Sequence, residues 1–204
     1  MKKALSILFG LALLLMSFQC EDEIDDVIRV NNFKATVSEA TISLNDTLWI
    51  RGRVSSQAFD EATGDSIPSD GFNNREFISL YRLRPTDDEG NSIDAVNNFE
   101  IIQEVGPISD PGQCPNSGIV IEGVLTDDGS EYRYRVGLKP SIVADYVLVW
   151  NFDSTITNTN RNTEILASYP VDGNTTTIEF NKCGIISILP DINASDRLYF
   201  FSVE

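Results

Sequence analysis

Strict two-residue alternation is the feature that most constrains this chain. Over residues 47–54, Leu48, Ile50, Gly52 and Val54 share one face, and Thr47, Trp49, Arg51 and Arg53 the other. Over 130–139, Tyr132, Tyr134, Val136 and Leu138 stand against Glu131, Arg133, Arg135 and Lys139. A period of two marks a strand with one wet face and one dry face. Residues 145–153 differ: Tyr146, Leu148, Trp150 and Phe152 lie opposite Val147 and Val149. An apolar run on both faces predicts a central strand covered on both sides. At the C-terminus, Leu198, Phe200 and Ser202 alternate with Tyr199, Phe201 and Val203.

Shorter strands are predicted near 40–44, 76–84, 99–105, 118–125, 165–169, 175–180 and 183–189, set apart by Gly, Pro, Asn and Asp. Pro85 is expected to end the strand before it, because proline cannot donate to a ladder. Thr126-Asp127-Asp128-Gly129 and Asp172-Gly173 read as hairpin turns. Residues 55–75 read as a long polar loop whose Asp60, Glu61, Asp65 and Asp70 lack the spacing of a helix–loop–helix calcium site. No helical periodicity follows the N-terminal segment. The expectation is an all-β, antiparallel, immunoglobulin-like β-sandwich with extra strands and long loops, spanning 29–204. Two packed subdomains divided near 106–117 are the other arrangement considered.

The chemistry is bounded by what is missing. There is no histidine among the 204 residues, which removes Ser–His–Asp and Cys–His catalysis and imidazole-based zinc sites. A glycosidase needs only two carboxylates, but none of the 31 acidic residues is marked by an apolar surround in sequence. No cofactor and no metal site is expected. The net charge of −16 opposes binding to nucleic acid. Of three cysteines, Cys114 lies in the turn-rich Pro111-Gly112-Gln113-Cys114-Pro115, which is poor at burying a thiol. A Cys114–Cys183 disulfide is expected, worth ~3–4 kcal/mol in the chain-entropy picture.

The N-terminus carries the location signal. Lys2 and Lys3 precede an apolar run from 4 to 16, too short to span a bilayer, which needs ~20 residues. Ser17-Phe18-Gln19-Cys20 ends it, and Glu21-Asp22-Glu23 begins a polar stretch that continues with Asp25 and Asp26. This layout resembles a bacterial lipoprotein signal. The acidic run resembles the export tag of Bacteroidota-type surface lipoproteins. The resemblance implies a signal over 1–19, a lipidated Cys20 as first mature residue, an acidic tether over 20–28, and an outer-membrane location facing the cell surface. The membrane would then be a partner through the acyl chains. A single chain holds only marginally, so more than one is needed.

Trp49, flanked by Arg51 and Arg53, is the candidate binding element: a stacking platform for a sugar or peptide, or else a Trp covered by a neighbouring loop or strand edge. The Arg133–Arg135–Lys139 stripe is unusual in so acidic a chain. It is either a patch for an anionic ligand or paired with carboxylates such as Glu122. Asp46-Thr47-Leu48, Asp65-Ser66-Ile67 and Asp153-Ser154-Thr155 resemble the O-glycosylation acceptor of Bacteroidota exported proteins. The function expected is a non-enzymatic, lipid-anchored module with an envelope-protein or glycan partner. A glycan-binding accessory of a polysaccharide-uptake system is the alternative.

Overall fold

The computed structural model describes residues 28–69, 74–152 and 154–204. The strands, in chain order, are β1 (Ile28–Arg29), β2 (Lys34–Val37), β3 (Thr41–Ile42), β4 (Leu48–Ser55), β5 (Gln57–Asp60), β6 (Asp65–Pro68), β7 (Arg75–Asp87), β8 (Gly90–Asp94) and β9 (Phe99–Val105). There follow β10 (Ile108–Ser109), β11 (Gly118–Glu122), β12 (Val124–Leu125), β13 (Glu131–Pro140), β14 (Ala144–Trp150) and β15 (Thr155–Ile156). After the helix α1 (Thr163–Ala167) come β16 (Ile178–Lys182), β17 (Ile185–Leu189) and β18 (Leu198–Val203).

The alternation of β4 and β13 turns into burial as the sequence predicts: Leu48, Ile50 and Val54 face inward with Tyr134, Val136 and Leu138. These strands belong to a sheet ordered β12-β13-β4-β2-β15, with β9 also on β13. It packs on a larger sheet ordered β17-β16-β8-β7-β14-β18-β3, with β10 and β11 attached through β7. The core between them holds Ile50, Ile78, Leu80, Leu148, Trp150 and Phe201. β14 lies between β7 and β18, the central position its two apolar faces demand. Its opposite face, with that of β18, builds a second core of Val147, Leu198 and Phe200, closed by Leu166, Ile178 and Ile192. The molecule is therefore an all-β sandwich with a third layer over one sheet. Most pairs are antiparallel; β15–β2, β16–β8 and β18–β3 are short parallel pairs outside the expected pattern.

Several local expectations fail, each for a physical reason. Residues 55–75 are not a bare loop: β5 and β6 form a hairpin, with β1 added to its edge. The Asp60 carboxylate accepts from Ala62 N, Thr63 N and Thr63 Oγ1, so it caps the turn. The first described strand, β1, starts at Ile28, the last residue of the expected tether. Pro85 does not end β7, because the ladder to β8 is interrupted between Leu83 and Asp87 and asks for no donor there. The predicted strand at 165–169 is the helix α1, nucleated by Asn162, whose side chain accepts from Glu164 N and Ile165 N. Asp172-Gly173 is a turn, with both φ positive, but it closes only a Val171–Asn174 bridge. Most consequentially, residues 118–125 do not form one hairpin arm. β11 pairs with β7 in the large sheet, and after Gly123 the chain crosses so that β12 pairs with β13 in the other. A Cβ at Gly123 would lie 2.9 Å from the Phe33 ring, so any larger residue at this crossing requires that buried ring to shift.

The Cys114–Cys183 disulfide is present, with its Cα atoms 6.0 Å apart. Cys183 and Gly184, both at positive φ, make the turn between β16 and β17. β17 is an edge strand whose Ile185 and Ile188 are 70% and 62% exposed.

Candidate functional site

The outer face of the smaller sheet gathers the cations that the sequence singles out. β4 is flanked by β13 and β2. The register sets Arg53 opposite Arg133, Arg51 opposite Arg135, and Lys34 opposite Arg53 on its other side. Neighbouring strands lie ~4.8 Å apart and like charges directly opposite destabilise a sheet. Two members of the stripe are compensated. Arg135 is bonded to Glu104 of β9, and Lys139 lies 3.6 Å from Glu100. Among the described residues, no carboxylate comes within ion-pair distance of Lys34, Arg51, Arg53 or Arg133. Glu122, the carboxylate expected beside the stripe, pairs instead with Arg75, 3.5 Å away, because the crossing at Gly123 leaves it in the other sheet.

Trp49 is half-buried. Its indole lies over Gly137, where a Cβ would come within 3.1 Å of the ring. The guanidinium carbon of Arg135 sits 4.2 Å from the ring centroid. Trp49 is thus a stacking platform whose occupant is a residue of its own chain. Its effect is to hold Arg135, together with Glu104, at the border of the cationic field. Arg51, Arg53 and Arg133 are left as the open positions.

A depression of about 260 Å³ runs between Lys34, Thr36, Arg51, Arg53, Glu131 and Arg133. Lys34, Arg53 and Glu131 also line a second one of about 380 Å³, which adds Asn31, Asn32, Ser55 and Ser130. The face therefore offers a cationic end and a neutral end of amides and hydroxyls. Arginine forks match planar carboxylates with paired hydrogen bonds.

A second polar cluster is internal. Glu76 is fully buried, accepting from the Tyr134 hydroxyl at 3.0 Å and from the Ser154 hydroxyl. Burial pushes its carboxyl up to about 7, against the pull of those two hydrogen bonds. Burial also raises the Tyr134 phenol, and the Glu76 charge adds to it. The Trp150 indole nitrogen lies toward Tyr134 but misses hydrogen-bond geometry. Sequence reasoning missed Glu76, although parity marks it: it shares a face with Ile78 and Leu80. The engagement of buried Ser154 takes that hydroxyl out of the acceptor triplets, while Ser66 in β6 is exposed.

Cys20 and the acidic run after it lie outside the described residues. The fold and this face together define a β-sandwich module with a localised cationic surface. Comparison with protein-family models, with curated proteins and with solved structures finds no match.

Proposed function

We propose that this chain is a non-enzymatic, lipid-anchored module of the outer membrane, held through Cys20 and binding a partner with the outer face of its smaller sheet. The observation that carries the binding half is the set of Lys34, Arg51, Arg53 and Arg133, without an ion-pair partner among the described residues and stacked strand against strand in a chain of net charge −16. Such an arrangement works against folding, and a surface ligand of opposite sign relieves it. The anchoring half rests on the residues around Cys20. A non-catalytic reading is supported by the lack of histidine and by Glu76, a carboxylate sealed from solvent among neutral partners. The alternative, a glycan-binding accessory, is favoured by the amide- and hydroxyl-lined end of the face.

Metabolic labelling with palmitate, combined with protease shaving of intact cells, tests the placement. Label is expected in the native chain and lost in Cys20→Ser, with the domain cleaved on intact cells. Unlabelled protein, or protection from protease, overturns it.

A further inference from the structure

We infer that the ligand of this face is an acidic oligosaccharide, its carboxylates held by Arg51, Arg53 and Arg133 and its hydroxyls by the adjoining amide end. The inference rests on the binding face proposed above and names its ligand class. Three features point to it. First, the cations form a short grid rather than a point: Lys34, Arg53 and Arg133 make one row across three strands at steps of ~4.8 Å, and Arg51 stands two residues from Arg53, ~6.8 Å along β4. A row with that step suits a chain bearing one charge per sugar ring better than a lone anion. Second, the cationic depression adjoins one lined by Asn31, Asn32, Ser55 and Ser130. Of these, Asn31 Nδ2 donates to Gln57 O, Ser55 Oγ accepts from Gln57 N and Ser130 Oγ donates to Asp128, while Asn32 has no side-chain hydrogen bond among the described residues. Neutral donors and acceptors beside the forks match a hydroxyl-rich ligand. Third, the protein is strongly acidic elsewhere, so a duplex nucleic acid of dense charge is repelled beyond this face, whereas a polymer of lower charge density is admitted. Glu131, between the cations and the amides, further disfavours closely spaced phosphates.

The test uses the purified full-length protein and oligogalacturonate, with its fully methyl-esterified form as the uncharged match. Binding is read by calorimetry at low and moderate salt. The acidic oligomer is expected to bind and the ester to bind at least tenfold more weakly, with affinity falling as salt rises. Arg53→Glu/Arg133→Glu is expected to lose roughly tenfold or more. Arg53→Lys/Arg133→Lys is expected to keep part of the affinity, since charge remains and the fork is lost. Thermal melting of each variant is recorded beside wild type, and a cooperative transition above the assay temperature separates lost binding from lost folding. Equal binding of acid and ester, both lost in the Glu variant, overturns the ligand class and leaves the face standing. Binding of the acid unchanged in the Glu variant overturns the face. No binding of either oligomer overturns the ligand class.

Discussion

Glu76 makes the stability of this protein depend on pH in a direction opposite to that of ordinary surface carboxylates. Its carboxyl titrates near 4.5 when solvated and at about 7 in the fold, because burial in the sandwich disfavours the charge. A folded-state value raised above the unfolded one means the native state holds the proton longer. Stability is then greatest at low pH and falls as pH rises from 4.5 through 7. Each pH unit in that window costs about 1.4 kcal/mol, so the whole passage costs about 3 kcal/mol. Glu76→Gln keeps a carbonyl acceptor and sets an uncharged NH2, with two N–H donors, where the protonated acid has its one O–H. The variant should match wild type near pH 5 and exceed it by up to about 3 kcal/mol at pH 8. Asp60, Asp87 and Asp128 shift downward through local hydrogen bonds. Their contributions are lost only on acidification below the ordinary carboxylate range, so they stay out of this window. Urea unfolding of both proteins at pH 5 and pH 8 gives the four free energies required. A wild-type stability equal at both pH values, or a Gln variant that keeps the same decline, would refute the assignment.

Two more outcomes follow from the packing. Gly52→Ala puts a Cβ 2.0 Å from the Tyr134 ring, so a loss of about 1–3 kcal/mol is expected on thermal unfolding, with the Tyr134–Glu76 contact displaced. Joint replacement of Cys114 and Cys183 by Ser removes a link between residues 69 apart and is expected to cost about 3–4 kcal/mol in urea unfolding under non-reducing conditions; an unchanged midpoint would count against that role.

What could be read from sequence was whatever a single strand decides by itself. β4, β14 and β18 declare their buried faces through alternation, and their places in the sheets follow. The parts that stayed hidden depend on two segments at once. Gly123 looks like any residue in an apolar run, and its crossing is visible only when Phe33 and Tyr132 are beside it. The same crossing removed Glu122 from the basic stripe and left the cations open. Trp49 and the two arginines beside it stand out in the sequence as a candidate, but the residue stacked on Trp49, Arg135, lies 86 positions on and needs the β4–β13 register to be seen. The apolar residues after Asn162 fit a strand as well as a helix, and five residues are too few for periodicity to decide.

β17 has a cost that the rest of the molecule must offset. A strand with one backbone edge unpaired among the described residues, three exposed isoleucines and no ionic side chain of its own offers little local guard against zipping onto a foreign peptide. Mutual repulsion between whole molecules supplies the guard, through the surplus of carboxylates spread over the chain. Colloidal solubility is thereby tied to acidity and ionic strength: brine, or acid enough to discharge the carboxylates, exposes this one hairpin as the first place where solutions turn cloudy.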